Sequence, residues 1–503
     1  MATGYRAVSE SAVDRAVEAL VAALGQDAVL TSERDLREFR DPYAYVGWDE
    51  FTASAVVMPT SVEAVQAVVR IANETGVPLW TFGQGRNYTY GGPAPRVRGS
   101  VLVNLRRMNR VLEVSDELAY AVVEPGVRFF DLHDHLRAGG HRLWPSVPDI
   151  GWGSVVGNTL EHGRGYTPHG DHAASVCGME VVLASGDVLR TGMGAMGNGT
   201  SWHMHQRGFG PSADGLFMQS NFGIVTKMGL WLLPEPEVYL SCFAHIEDDA
   251  ALEALIDATR PVMLDGTIRN YPLLGQGVGI GEEGGQVGAE SGWTMRFALY
   301  GRAGVVKAQL AAVREAFAGV PTLRLTSRTY AGDDLSGVTN HDDKVQCGIP
   351  GMELMERFQE PYGEATGHLD LSPVSPCTGR EVVRMTDRLR SLYGRHGIPY
   401  IAGLIICPRS VLHITTSFFD TRDEAQTTAV YDAYGDLVRE LARDGYGLYR
   451  TNLRYMDLVA EQYDFNDHAQ RRFNEALKDA LDPNGVLSPG KQGIWPRAMR
   501  PDR

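Results

Sequence analysis

Hydrophobic and polar positions alternate in a strand, helix, strand order near the start of the chain. Residues 54–58 form a short apolar run typical of a buried strand, and residues 62–72 repeat valine and alanine at helical spacing. Thr60 and Glu63 have the spacing of a capping box, which predicts that the helix begins there. The apolar run 78–82 predicts a second strand. Together these segments indicate a βαβ unit.

The same mixture of helix and strand patterns continues to about residue 234. Apolar runs predict strands at 101–105 and 120–125, and an amphipathic stretch predicts a helix at 129–140. Residues 179–192 contain two strand-like runs around a Ser-Gly pair, which favours a hairpin turn. A final strand-like run covers 223–234.

A change of pattern after two prolines marks a predicted domain boundary at 236–240. Beyond it a new helix-and-strand pattern begins, with a Gly-rich stretch at 275–292. Near the end of the chain, residues 465–481 predict a helix with Phe473 on its apolar stripe. A chain of 503 residues exceeds the size at which one hydrophobic core stops growing, so we expect at least two packed units.

Composition narrows the possible functions. The chain has 47 basic and 62 acidic residues, a formal net charge of −15, which disfavours binding to nucleic acid or to anionic membranes. Its five cysteines are scattered and odd in number, which is typical of a reducing compartment. The N-terminus resembles no secretion signal, and the longest apolar runs fall short of the roughly 18 residues that a membrane span requires. We therefore expect a soluble cytoplasmic protein.

The first candidate site is the Gly-rich segment 81–92, which directly follows a predicted strand. Gly83 and Gly85 allow backbone amides to approach an anion closely, as in pyrophosphate-binding loops. The alternative is an ordinary tight turn, the commoner use of such sequences. The spacing is not GxGxxG and no helix pattern follows, so a classical Rossmann site is disfavoured.

The second candidate site is the segment 148–172, which is dense in glycine and polar residues and lacks a regular apolar stripe. Such a long polar segment indicates a ligand-binding loop. An alternative is metal binding by His162, His169 and His172 together with Asp171. Their spacing fits no standard zinc pattern, so we predict no metal site.

Seven segments together resemble a known flavoprotein family. They are TYGG (89–92), PDIGWGSVVGNT (148–159), GYTPHGDH (165–172), GFGP (208–211), QSNFGIVTKMG (219–229), GYGLYRTN (445–452) and ALDPNGVLSPGKQGIW (480–495). Their order is similar to that in vanillyl-alcohol oxidase, eugenol oxidase and the flavin subunit of p-cresol methylhydroxylase (PCMH). The resemblance extends from about residue 39 to residue 495 and is nearest to bacterial 4-phenol oxidases of the eugenol oxidase type.

This resemblance implies an α+β fold of two domains. A PCMH-type FAD-binding domain is expected over 1–238, and an α+β cap domain with a central antiparallel sheet over 239–458. The segment 459–503 is expected to return to the FAD-binding domain. The cap domain would then cover the flavin ring.

The resemblance also assigns a phenolate-binding cluster to Tyr90, Tyr449 and Arg450. A nearby arginine lowers the pKa of a phenol by about 1 to 3 units, and tyrosine hydroxyls can donate to the same oxygen. Substrate would then react as the more electron-rich phenolate. The alternative, from the residues alone, is that Tyr449 and Arg450 form a strand pair with side chains on opposite faces.

Asp149 matches the family's acid near the flavin, where it would take a proton from the substrate's side-chain hydroxyl or from attacking water. The alternative is an ordinary Pro-Asp turn. His413 aligns with the histidine that several members bond covalently to flavin, although a core histidine on a strand would show the same local pattern. Because the p-cresol branch uses a tyrosine for this bond, His413 points toward the oxidase branch.

The remaining expected cofactor contacts are spread along the chain. They are Gly83, Gln84, Gly85, Arg86, Asn87, Pro148, Ser154, Gly157, Asn158, Gly223, Ile224, Val225 and Lys491. Arg164 and Tyr166 are expected in the substrate pocket. Since relatives that favour compact substrates carry an apolar residue in place of Arg164, we hypothesise a roomier, more polar pocket that admits syringyl-type phenols.

The expected activity is FAD-dependent oxidation of para-substituted phenols through a quinone methide, with hydride passing to the flavin and oxygen reduced to hydrogen peroxide. One alternative keeps this chemistry but delivers the electrons to a cytochrome. A second is a sugar or hydroxy-acid oxidase of the same fold, and a third is a non-catalytic binding protein that has kept the scaffold. As partners we expect a small phenol, molecular oxygen and further copies of the chain in a homo-oligomer.

Overall fold

The computed structural model describes residues 8–43, 51–276 and 292–500. Its α-helices are α1 (Glu10–Leu24), α2 (Glu33–Arg37), α3 (Val62–Thr75), α4 (Phe129–Ala138), α5 (Val155–Leu160), α6 (Leu252–Leu264), α7 (Ala303–Phe317), α8 (His341–Gln346), α9 (Glu353–Phe358), α10 (Gly379–Arg395), α11 (Glu424–Arg443), α12 (Met456–Glu461) and α13 (Phe465–Leu481).

Nineteen strands lie in the described residues. They are β1 (Val29–Leu30), β2 (Ala55–Val57), β3 (Leu79–Phe82), β4 (Val101–Asn104), β5 (Val111–Ser115), β6 (Tyr120–Val123), β7 (Leu143–Trp144), β8 (Val176–Leu183), β9 (Val188–Arg190), β10 (Gly223–Trp231), β11 (Leu233–Pro234), β12 (Val238–Ile246), β13 (Leu273–Gln276), β14 (Trp293–Gly301), β15 (Arg324–Ala331), β16 (Thr366–Leu371), β17 (Val374–Pro376), β18 (Ala402–Ile406) and β19 (Ser410–Asp420).

The first sheet has the order β1-β2-β4-β3, in which β2, β4 and β3 are parallel and β1 is antiparallel. Its strands are mostly apolar because both faces are largely buried. Ala55 and Val57 pack toward helices α1 and α3, whereas Val56 packs on the opposite face with Trp80. The predicted βαβ unit is therefore confirmed.

One detail of that unit was predicted wrongly. The N-cap of α3 is Ser61, whose side chain accepts a hydrogen bond from the Ala64 amide, and not Thr60. The cap must lie directly before the first helical residue so that its oxygen reaches the free amides of the first turn. Here that residue is Val62, one position later than the capping box indicated.

The second sheet is antiparallel, with the order β5-β6-β10-β8-β9. Strands β8 and β9 form the hairpin predicted at 179–192, and Gly186 in its turn has a φ of +87°. Helices α4 and α5 pack against this sheet, with Phe129, Leu132 and Val155 in the shared core.

The third sheet has eight strands, all antiparallel, in the order β15-β12-β14-β13-β18-β19-β16, with β17 paired to β19. Alternate residues of β14, such as Met295 and Phe297, face helices α6 and α7. The residue between them, Arg296, points to the other side of the sheet, because successive side chains of a strand alternate. The predicted fold class, α+β with a large antiparallel sheet, is confirmed. A fourth, two-stranded sheet pairs β7 with β11.

The segment after α13 returns to the first sheet. The Leu79 amide donates to the Val486 carbonyl, and the Ser488 amide donates to the Leu79 carbonyl. Lys478, which is fully buried, forms an ion pair with Asp482 (2.7 Å) and also donates to the Leu487 carbonyl. These bonds hold residues 486–488 beside β3.

Several smaller expectations meet different outcomes. Phe473 lies on the outer side of α13 and is largely exposed, so its assignment to the helix's apolar stripe was wrong. The Gly-rich stretch predicted at 275–292 lies almost entirely outside the described residues.

All five cysteines are buried free thiols. Across 8–43, 51–276 and 292–500, every helix is too short or too polar to pass through a bilayer.

Candidate active site

A cavity of about 410 Å³ is lined by residues of the three larger sheets. Its walls come from the Gly-rich loop after β3, the segment 148–166, strand β10, strands β16 and β19 of the eight-stranded sheet, and the C-terminal segment. The volume falls within the range of about 300 to 1,000 Å³ typical of small-molecule and cofactor sites.

The Gly-rich loop forms one end of this cavity. A side chain at Gly83 would place its Cβ 2.7 Å from both the Pro125 carbonyl oxygen and Ser154, so only glycine fits there. Gly85 has a φ of +63°, which also favours glycine. The Gln84 side chain donates to the Gly126 carbonyl (2.6 Å) and fixes the loop. The loop can therefore present backbone groups to a ligand at close range.

Helix α5 begins directly beside this loop. The Ser154 hydroxyl donates to the Pro125 carbonyl (2.6 Å) and accepts from the Gly157 amide (2.8 Å). Nearby, Asn158 contacts His172, the two side chains lying 2.7 Å apart. Burial lowers the pKa of His172 to about 3, so this histidine is neutral. None of the described residues forms a cluster of three or more histidine, cysteine or acidic side chains that could hold a metal.

All but one of the expected cofactor contacts line this cavity. They are Gly83, Gln84, Gly85, Arg86, Asn87, Pro148, Ser154, Gly157, Asn158, Gly223, Ile224, Val225 and Lys491. Lys491 forms an ion pair with Glu161 (2.6 Å), another wall residue. Glycine, amide and cationic groups from four separate segments thus meet in one place.

Tyr90, Tyr449 and Arg450 also line the cavity and lie together. The guanidinium carbon of Arg450 is 5.5 Å from the ring centroids of both tyrosines. Tyr449 and Arg450 are not in a strand, so the alternative of a strand pair with opposed side chains was wrong. We call these three residues the phenolate corner.

The phenolate corner contains an incompletely paired cation. Arg450 donates through Nε to the Glu161 carbonyl (2.5 Å), whereas its buried Nη2 has no hydrogen-bond partner among the described residues. Burial raises the pKa of Tyr90 well above its usual value, and the Tyr449 hydroxyl adds to this rise despite the opposing charge of Arg450. Tyr90 is therefore a hydrogen-bond donor, and the corner can accept an anionic oxygen.

Asp149 lies at another part of the cavity wall, surrounded by three donors. Its Oδ1 accepts from Arg296 Nη2 (2.5 Å) and from His341 Nε2 (3.1 Å), and its Oδ2 accepts from the Tyr166 hydroxyl. Arg296, which is 1% exposed, also donates to Asp342. We call Asp149, Arg296, His341 and Tyr166 the carboxylate clamp.

The carboxylate clamp fixes the charge of Asp149. Burial alone would raise the pKa of this carboxyl, but the charge of Arg296 and the hydrogen bonds from His341 and Tyr166 hold it well below its usual value. Asp149 is consequently an anion at neutral pH and a weak base. The sequence identified Asp149 and Tyr166 but gave no sign of Arg296 and His341, which lie 147 and 192 residues away from Asp149.

His413 lies outside the cavity, contrary to the expectation of a flavin bond at this position. It sits on β19 between Leu412 and Ile414, is fully buried, and lies 2.8 Å from the Ser375 hydroxyl. The adjacent Ile414 lines the cavity, so the alternation of the strand turns His413 to the opposite face. It is a core histidine, and burial lowers its pKa to about 3.

The histidine that does line the cavity is His368 on β16. Its ring lies 4.9 Å from those of Tyr43 and Phe358, and its buried Nδ1 has no hydrogen-bond partner among the described residues. Burial lowers the pKa of His368, although nearby Asp370 opposes this shift. Sequence reasoning missed His368 because HLDL (368–371) shows only an ordinary strand alternation.

Arg164 and Tyr166 are both wall residues of the same cavity. Arg164 pairs with Asp171 (2.5 Å) and its guanidinium carbon lies 5.6 Å from the Tyr271 ring centroid. Its Nε is buried without a hydrogen-bond partner in the described part of the chain. Arg164 therefore adds a polar group to a wall that is otherwise largely apolar.

Comparisons with known proteins agree with this geometry. Residues 53–192 match the family model of a FAD binding domain. The chain is 33% identical over 515 residues to the 4-cresol dehydrogenase (hydroxylating) flavoprotein subunit of Pseudomonas putida, with 97% of each chain covered. It superposes on the 4-ethylphenol oxidase of Gulosibacter chungangensis, solved as an isoeugenol complex, with a TM-score of 0.91 and 37% identity, covering 99% of this chain and 100% of that one. Substrate-bound p-cresol methylhydroxylase gives a TM-score of 0.89 at 31% identity, covering 97% and 98%.

Proposed function

The chain belongs to the p-cresol methylhydroxylase and vanillyl-alcohol oxidase family of flavin-dependent oxidoreductases, and from this membership we propose that it oxidises para-substituted phenols at the benzylic carbon. The substrates would be 4-hydroxybenzylic alcohols and 4-alkyl or 4-allyl phenols. A quinone methide would be the intermediate formed from the substrate.

The phenolate corner is the observation that carries this proposal. A buried arginine whose Nη2 lacks a partner is costly unless a ligand completes its bonding. A phenolate oxygen would complete it, because that oxygen accepts from Arg450 and from the hydroxyls of Tyr90 and Tyr449. A sugar or hydroxy-acid substrate has no aromatic oxyanion to place in this corner.

The cavity fits FAD. Gly83 and Gly85 allow the close backbone approach that a pyrophosphate needs, and Lys491 supplies a cation on the adjoining wall. Bound FAD would supply a two-electron acceptor for the hydride that leaves the substrate's benzylic carbon. The phenolate corner binds and orients the substrate, and the apolar walls exclude water.

Asp149 would act at the benzylic end of the substrate. For an alcohol, its carboxylate would take the proton of the side-chain hydroxyl, and for an alkylphenol it would take the proton of the water that adds to the quinone methide. Because the clamp makes Asp149 a weak base, its main contribution is to orient that hydroxyl or water through a charge-assisted hydrogen bond.

We propose His368 as the covalent tether of the flavin. It lines the cavity, is neutral, and has a free Nδ1, which are the properties of a nitrogen nucleophile. Acid precipitation tests this assignment. The wild type and H413N should give yellow pellets, whereas H368A should release its flavin into the supernatant. A colourless wild-type pellet would exclude a covalent bond.

Molecular oxygen is the proposed final electron acceptor, with hydrogen peroxide as the product. The relatives differ on this point in their names, one being a dehydrogenase and the other an oxidase. Turnover of 4-ethylphenol in air with one equivalent of peroxide would support the oxidase. Turnover only with an added dye or cytochrome would establish a dehydrogenase instead.

The ring-substituent preference is proposed from Arg164. Its buried, unpartnered Nε lies in the cavity wall, where it could donate to a methoxy oxygen beside the phenolate. We propose that both vanillyl and syringyl alcohols are substrates. Turnover of vanillyl alcohol with complete rejection of syringyl alcohol would refute this preference while leaving phenol oxidation intact.

A further inference from the structure

Helix α8 directs consecutive side chains toward the carboxylate clamp. His341 bonds to Asp149, and Asp342 bonds to Arg296, which itself bonds to Asp149. One helical turn further on, Lys344 forms an ion pair with Glu353, the second hydrogen-bond partner of His341. A single short helix thus supplies most of the ionic support for the clamp.

We propose that His341 is a positioning residue of the oxidation: its imidazolium, held from behind by Glu353, orients the Asp149 carboxylate so that Oδ2 keeps a lone pair free for the substrate or for water. The proposal rests on the proposed function, since it concerns the reactive carboxylate of that chemistry.

Two hydrogen-bond partners require His341 to carry a positive charge. Nε2 lies 3.1 Å from Asp149 Oδ1, and Nδ1 lies 3.4 Å from Glu353 Oε2. Ionised carboxylates only accept hydrogen bonds, so both ring nitrogens must be protonated. Burial opposes this charge, but the bonds to Asp149 and Glu353 raise the pKa of His341 to about 9.

The charges around His341 are balanced. The anions around it are Asp149 from the cavity segment, Glu353 from α9 and, beyond Arg296, Asp342 of its own helix. The cations are Arg296 from β14 and, beyond Glu353, Lys344. Lys344 lies 2.7 Å from Glu353 Oε1. The hydrogen bond from His341 lowers the pKa of Glu353, so this carboxylate stays ionised at neutral pH.

Orientation is the part of the task that Arg296 cannot perform alone. Asp149 lies in a bend outside any helix or strand, so its backbone does not fix the side chain. Arg296 and His341 both bind Oδ1, and this pair of bonds prevents rotation about the carboxylate. The Tyr166 hydroxyl then uses one lone pair of Oδ2, which leaves the other for the cavity.

The first test is independent of the flavin. A histidine whose pKa rises from its ordinary value of about 6.5 to about 9 on folding stabilises the protein fully below pH 6.5, and this stabilisation is lost as the pH rises through 9. The Tm of the wild-type protein should therefore exceed that of H341Q by several degrees at pH 6 and by little at pH 10. In E353Q the loss should occur at lower pH. A Tm difference that does not change with pH would overturn the proposal.

The second test separates positioning from general structural support. In an alcohol the hydride would leave the benzylic carbon for the cofactor while Asp149 holds the side-chain hydroxyl, whose proton it would take as the quinone methide becomes the aldehyde; 4-ethylphenol has no such hydroxyl for Asp149 to hold. In H341Q holoenzyme we expect flavin reduction by vanillyl alcohol to slow about tenfold more than reduction by 4-ethylphenol. An equal loss for both substrates would overturn the proposal.

Asp343→Asn is the matched control. Asp343 is the next but one residue on the same helix and is fully buried, but its partners are Ser241, Arg328 and Tyr330, which lie outside the clamp. This variant should lower the Tm while leaving the ratio of the two reduction rates unchanged. If H341Q does not fold, the pH dependence of the Tm and the ratio of the two reduction rates can be measured in H341N and E353Q instead. If neither phenol reduces the flavin of the wild-type protein, the proposed function is refuted. An unchanged ratio of the two reduction rates in H341Q refutes only the role of His341.

Discussion

Two charged groups in the cavity wall, Arg450 and Asp149, differ in how completely the protein satisfies them. Arg450 is buried with Nη2 unpartnered among the described residues, whereas Asp149 accepts from three donors. A cation with an unpartnered donor is available to a ligand, whereas a carboxylate held by several donors is fixed in position by the fold. The phenolate corner should therefore control binding, and the carboxylate clamp should control stability and orientation.

Breaking the clamp at its centre should produce the largest effect. Arg296→Met leaves Asp149 and Asp342 buried without their shared cation, and removing one partner of a buried ion pair typically costs about 3 to 5 kcal/mol. Urea denaturation at pH 7 measures this loss. The control is Arg324→Met, an exposed arginine of β15, which should change stability by less than about 0.5 kcal/mol. A loss in R296M no larger than that of the control would show that the clamp carries little stability.

Substitutions in the phenolate corner should weaken ligand binding strongly and change stability little. Arg450→Met should weaken binding of a phenolic inhibitor by about 10- to 1,000-fold, because a nearby arginine lowers a phenol's pKa by about 1 to 3 units. Unfolding free energy should fall by no more than about 1 kcal/mol, since Arg450 donates through Nε to the Glu161 carbonyl while its Nη2 has no partner among the described residues. Inhibitor titration monitored by flavin absorbance, together with urea denaturation, gives both values. Stability loss without weaker binding would reverse the comparison.

The tyrosines of the corner should have smaller effects. Tyr449→Phe removes one donor to the phenolate oxygen, and a hydrogen bond to a charged group is worth about 1.5 to 3 kcal/mol. We expect kcat/KM for 4-ethylphenol to fall by roughly 10- to 100-fold, with the Tm nearly unchanged. Tyr90→Phe should behave alike. Full activity in either variant would show that the hydroxyl it lacks does not bind the phenolate oxygen.

The smallest predicted effect concerns the outer bond of the clamp. Tyr166→Phe removes one of the three hydrogen bonds to Asp149 and leaves both ionic partners in place, so stability should fall by about 1.5 kcal/mol, the low end for a hydrogen bond to a charged group. Asp149 should also become easier to protonate, because one of the bonds that lower its pKa is gone. Thermal denaturation at pH 7 measures the first effect. A loss of stability as large as that in R296M would show that Tyr166 stabilises the protein as much as Arg296 does.

Local sequence patterns alone predicted several of the segments that surround the cavity. The βαβ unit, the hairpin of β8 and β9 and the Gly-rich loop all follow from local patterns of apolar residues, glycines and turns. Tyr90, Tyr449 and Arg450 were identified only through the family resemblance, since nothing local to them indicates a common site.

What could not be predicted depends on contacts between distant strands. Arg296 and His341 belong to the eight-stranded sheet and its helix α8, and their path to Asp149 exists only after that sheet has formed. The expectation for His413, made without considering His368, has a related cause. Both lie on strands with similar alternation, and only the pairing of β16 with β19 decides which of them faces the cavity.

The return of the chain's last segment to β3 affects the order in which the site is built. Ser488, Lys491 and Gln492 line the cavity, and residues 486–488 are fixed by backbone bonds to a strand more than 400 positions earlier. The cavity therefore cannot close until synthesis has passed the entire antiparallel sheet. Capture of the cofactor should be a late event, following translation of nearly the whole polypeptide.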